Sequence, residues 1–125
     1  MTSDDGTTAS KGASIAATRS EAVKTLADQI DVVEGKSKMT LALIGKVSTW
    51  FTVDKDHPTA IKVQEQLRQF YSEYHVAWRR VLNIAKINEK LFVNHEEVLM
   101  LRVYLESNTQ IERKMRSLGA MGFSP

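Results

Sequence analysis

The sequence contains no cysteine, only two prolines and six glycines. Without thiols it can build no disulfide framework, no thiolate zinc site and no thiol nucleophile, which fits a reducing compartment. So little proline and glycine, with no Val/Thr/Ile alternation separated by turn pairs, leaves little from which to make a sheet. No apolar run approaches the roughly 20 residues of a membrane-spanning helix. The segment from Met1 to Ala17 carries Asp4 and Asp5 and no apolar centre, so it does not read as a secretory signal. A cytoplasmic protein with no membrane contact is expected. Charge of one sign is also scarce: 17 Lys and Arg face 15 Asp and Glu, a net of +2. The chain as a whole therefore has no electrostatic footprint for nucleic acid, and only local grouping of cations can provide one.

What remains reads as all-α. A chain of 125 residues fits one domain and buries roughly two-thirds of its unfolded surface. Residues 1–18 are small and polar, too poor in apolar surface to offset ordering entropy, and are expected to form a disordered tail. A helical bundle is expected over 19–119 and a short C-terminal tail over 120–125. Thr18 and Glu21 have the spacing of a capping box. Val23, Leu26, Ala27, Ile30 and Val33 then recur at helical steps. Gly35 predicts a break or kink, after which Met39, Leu43, Ile44, Val47 and Phe51 form a second helix ending near Thr52.

Pro58 suits a first helical turn, where its missing N–H has no partner to lose. From there Val63, Leu67, Phe70, Tyr74, Ala77, Val81, Ile84, Asn88 and Leu91 follow alternating steps of four and three, the seam of a coiled coil. Tyr71, Trp78, Leu82 and Ala85 add a second row, wide enough to predict the central helix of a three- or four-helix bundle. Asn94 and Glu97 mark a further N-terminus, with Val93 and Val98 placed to staple it. The last helix carries Leu101, Tyr104, Asn108, Ile111, Met115 and Leu118, and Gly119 is expected to end it.

Few constellations offer chemistry. His57, His75 and His95 lack the spacing that aims two imidazoles at one metal, and capping or solvated roles account for them. Paired carboxylates such as Glu96 with Glu97 suit the start of a helix, where the dipole favours them. There is no phosphate-binding glycine loop and no nucleophile elbow, so neither an enzyme nor a metal or cofactor is expected. A helix-turn-helix about Gly35 lacks the apolar residue that should follow the turn. Asn88 and Asn108 interrupt the two seams. A buried Asn fixes helix pairing, within a chain or between chains, whereas one at a helix end is simply solvated. Lys36 and Lys38 flank Gly35, and Arg79, Arg80, Lys86 and Lys90 follow one another along the helix that begins at Pro58. These six are the candidates for phosphate contact.

The stretch Tyr71-Ser72-Glu73-Tyr74-His75-Val76-Ala77-Trp78-Arg79-Arg80, followed by Ile111-Glu112-Arg113-Lys114-Met115-Arg116-Ser117-Leu118-Gly119 and Phe123-Ser124-Pro125, resembles the C-terminal half of one group of phage small terminase subunits. The resemblance implies a helical homo-oligomer, acting in the host cytoplasm, that binds duplex DNA and passes it to a large terminase subunit. On that expectation Tyr74, Trp78, Asn88, Asn108, Met121 and Phe123 serve oligomer or partner interfaces, with Met121 and Phe123 docking the partner. The rival expectation is a protein-binding adaptor, inhibitor or assembly chaperone without nucleic-acid contact.

Overall fold

A computed structural model describes residues 18–92 and 95–125, and the side chains of 95–100, 102–105 and 107 are not among those described. The expected N-terminal tail, but for Thr18, and the Asn94 cap with its Val93 staple lie outside the described residues. Among the described residues three α-helices make an up-down-up bundle: α1 (Arg19–Val53), α2 (Pro58–Ile87) and α3 (His95–Ala120), with a 3-10 turn at Glu89–Leu91 before α3. No strand occurs among the described residues. No helix among them is long and apolar enough to cross a membrane.

Local chemistry explains the start of α1 and the turn into α2. At the start of α1, Thr18 Oγ1 accepts the Glu21 N–H at 3.1 Å and Glu21 Oε1 accepts the Thr18 N–H at 3.1 Å, the reciprocal bonds of a capping box. Residues 54–57 reverse the chain. There Asp54 Oδ1 accepts the Asp56 N–H at 3.1 Å, and His57 Nδ1 accepts the Thr59 N–H at 3.0 Å to cap α2 ahead of Pro58. The His57 ring also stacks on Trp50, 4.7 Å between centroids.

Contrary to the expected break, α1 runs unbroken through Gly35. Its buried face passes from Leu26, Ile30 and Val33 through Ser37 and Thr40 to Leu43, Ile44 and Val47. Thr40 is fully buried, yet its hydroxyl donates to the Lys36 carbonyl at 2.7 Å, so it needs no partner outside its own helix. Glycine costs the helix about 1 kcal/mol against Ala. Each large apolar side chain that a continuous helix keeps buried returns about 1.5–3 kcal/mol, so the continuous form wins.

Two further expectations need correcting. The helix that both others approach closely is α1, not α2; α2 and α3 meet through long side chains. Gly119 does not end α3, which continues to Ala120 and closes on Gly122, at φ 108°. The Phe123 N–H donates to the Leu118 carbonyl at 2.9 Å and the Gly122 N–H to the Gly119 carbonyl at 3.0 Å. This is a Schellman closure, whose usual apolar contact is made here by Phe123 and Leu118, both buried.

Candidate nucleic-acid and partner interfaces

The six candidate cations do not converge on one face. Lys36 turns toward α2 and pairs with Glu73, Nζ to Oε1 at 2.6 Å, and sits 5.6 Å from the centre of the Phe70 ring. The same Glu73 accepts the Gln69 amide at 3.0 Å. The bonds from Lys36 and then Gln69 hold its carboxyl below the ordinary range. Arg80 lines the shallow α1–α2 groove beside Lys36, with Val32, Val76 and Ala77. Lys38, two residues beyond Lys36, is turned about 200° around α1 and is exposed. Arg79 and Lys86, seven apart, share the outer face of α2, and Lys90 stands on the 3-10 turn, all three exposed. Among the described residues, none of Lys38, Arg79, Arg80, Lys86 and Lys90 has a carboxylate partner.

The six interface candidates are mostly consumed inside the chain. Tyr74, Trp78, Asn88 and Phe123 are buried in the bundle and so have no surface to offer a partner. Asn88 closes α2, its amide donating to the Ile84 carbonyl at 3.0 Å. Asn108 reaches across to α2, where its Oδ1 accepts the Tyr74 hydroxyl at 2.7 Å, so this seam Asn pairs two helices of one chain. Phe123, expected in a docking tail, lies edge-on to Phe51, 6.3 Å between centroids, with the Arg68 guanidinium 5.1 Å from its own centre. Arg68 Nε also donates to the Ser124 carbonyl at 2.7 Å. Of the six, Met121 is the exposed side chain, at 40%.

Spacing alone did not reveal the polar contact between α2 and α3. The Tyr71 hydroxyl donates to Glu112 Oε1 at 2.6 Å, and Glu112 Oε2 lies 2.9 Å from His75 Nε2 without an aligned hydrogen-bond donor. Burial, then the bond to Glu112 and its charge, push the Tyr71 phenol above the ordinary tyrosine range. Burial, then the charges of Glu112 and Tyr71, do the same to Tyr74. These groups form no metal cage, and no cluster of His, Asp and Glu that could hold a metal occurs among the described residues.

A second feature missed in the sequence is a groove of about 300 Å³ between α1 and α3, lined by Leu41, Ile44, Gly45, Ser48, Lys114, Ser117, Leu118 and Met121. Its one signal in the sequence is Gly45, an unexplained glycine within a strongly helical run. Fold and surface together define, among the described residues, an all-α helical bundle with exposed cations on several faces and grooves along the α1–α2 and α1–α3 seams. Compared with known protein families, curated proteins and solved structures, the chain matches none.

Proposed function

We propose that the chain is a non-enzymatic helical protein that assembles with copies of itself in the host cytoplasm and contacts duplex DNA, in the manner of the phage small terminase subunits its C-terminal half resembles. The carrying observation is the set of exposed cations on and beyond the outer face of α2: Arg79, Arg80, Lys86 and Lys90 all lack carboxylate partners among the described residues. Free cations on a helix whose opposite face is fixed in the core by Tyr74, Ala77 and Val81, and on the turn that follows it, can neutralise phosphates without first breaking internal pairs. The packing is compatible with this reading, because the two segments that carry the resemblance join through Tyr71 and His75 on α2 and Glu112 on α3.

The test is fluorescence anisotropy of a labelled duplex titrated with the protein across a salt series, with light scattering of the same samples. Binding whose affinity falls steeply with salt, by a multimer of discrete mass, is the expected result. A monomer indifferent to the duplex at low salt would sink the proposal. That outcome would favour the second reading, an adaptor or assembly chaperone that binds only protein. The observation on its side is that Lys36 is spent on Glu73 and Lys38 faces away from α2.

A further inference from the structure

We propose that the groove between α1 and α3 seats an amphipathic helix of a protein partner, one whose apolar stripe is flanked by carboxylates. This surface is separate from the outer face of α2, and the inference does not depend on DNA being bound there.

The groove is amphipathic on an already rigid floor: Ile44 and Leu118 are buried core residues, half-buried Leu41 adjoins them, and Ser48 and Ser117 add polar surface beside them. Met121, a large apolar side chain left 40% exposed, forms one wall. The space suits one or two side chains of a helix laid along it more than an enclosed small molecule, since ligand cavities start near 300 Å³ and go well beyond it. Gly45 stands in this floor at a cost to helix stability, yet a Cβ built on it meets nothing within 4 Å. Packing inside the chain therefore does not require glycine here; what glycine supplies is open floor.

Charge selects the occupant. Lys114 is the charged residue that lines the groove, and Lys38, three residues before Leu41 and seven before Gly45, shares their face of α1. Neither lysine has a carboxylate partner among the described residues, and no acidic side chain lines the groove. An incoming helix with Glu or Asp beside its apolar stripe satisfies both ammonium groups, and one flanked by lysines is repelled.

The probe is a synthetic helix of about 20 residues, long enough to hold its fold in water, with leucines at three- and four-residue steps and flanking glutamates, followed by anisotropy. A lysine-flanked twin serves as control. The full chain is expected to bind the acidic probe and not its twin. Gly45→Phe, which fills the groove while circular dichroism confirms an unchanged fold, should weaken binding at least about tenfold. Lys114→Glu should weaken the acidic probe and admit the basic one, which keeps the test decisive should Gly45→Phe misfold. Equal binding of both probes, or wild-type affinity in Lys114→Glu, overturns the proposal. So does a duplex that competes with the probe and loses affinity on Gly45→Phe, since the groove would then belong to a nucleic-acid surface. Self-association abolished by Gly45→Phe would overturn it as well, in favour of a second copy of the chain.

Discussion

At the scale of single residues, the C-terminus shows how unequal neighbouring interactions are. Phe123 is 4% exposed against Phe51 and Leu118, and a truncation there forfeits both transfer energy and packing. Phe123→Ala is expected to cost about 3–5 kcal/mol, read as a fall in the denaturant midpoint. Arg68 covers the same ring from a half-exposed position, where a cation over an aromatic face is worth about 0.5–1 kcal/mol. Arg68→Ala should cost far less, and the ratio of the two tests whether burial or the cation holds the tail. Glu73 supplies a pH signature. Its carboxyl is depressed by Lys36 and Gln69, so the contribution is present above the ordinary Glu pKa, about 4.3, and is lost as pH falls through the lower folded value. Carboxyl NMR should find Glu73 titrating below that ordinary value in the native chain. In Lys36→Met it should move back up, and an unchanged midpoint there would show that the 2.6 Å pair does not exist in solution.

At the scale of elements, the boundaries carried by positive signals were legible: the Thr18 and Glu21 box and the Pro58 start stand as expected. So was the burial of the α2 row from Val63 through Leu67, Tyr74, Ala77 and Val81 to Ile84, because the spacing of large apolar residues states directly which face is inside. What misled was glycine, whose preference of about 1 kcal/mol is outweighed by long-range packing that a local pattern does not contain. Ser37 and Thr40 interrupt the apolar stripe of α1 next to Gly35, which hides its continuity, and Gly122, followed by an apolar Phe123, carries the closure that Gly119 predicts. A Cβ at Gly35 meets nothing within 4 Å. Gly35→Ala should therefore raise stability by about 1 kcal/mol and slightly deepen the helical dichroism; destabilisation would mean that α1 bends there. The α2–α3 junction has its own test. Tyr74→Phe strands the Asn108 amide oxygen at a cost of about 1 kcal/mol. Because burial and Glu112 raise both phenols, their contribution is full below the ordinary tyrosine pKa, about 10, and is lost only as pH rises through the higher folded values. Ultraviolet titration should accordingly show Tyr71 and Tyr74 ionising only together with alkaline unfolding.

At the scale of the whole molecule, the proposed function turns on which cations are free, and sequence alone could not say. Lys36 and Lys38 look equivalent in the chain, but the helix turns one into Glu73 and the other away from α2. Tyr74, Trp78, Asn88 and Phe123 look like interface anchors until the bundle closes over them. The groove was hidden for the same reason: its walls come from α1 and α3, far apart in sequence, and only folding sets Lys114 and Met121 beside Gly45. This sorting of charges yields a prediction that separates specific binding from general attraction. If the outer face of α2 holds phosphates, replacing Arg79 or Lys86 by Ala should reduce the slope of log affinity against log salt by about 0.9 for each phosphate left without its cation. It should leave the thermal midpoint nearly unchanged, since both side chains are exposed. Lys36→Ala removes the same unit of charge from the chain but also frees Glu73, so its effect on the slope should be small while its acid stability changes. Equal slope changes in all three variants would mean that the duplex senses only net charge, and that α2 presents no defined nucleic-acid face.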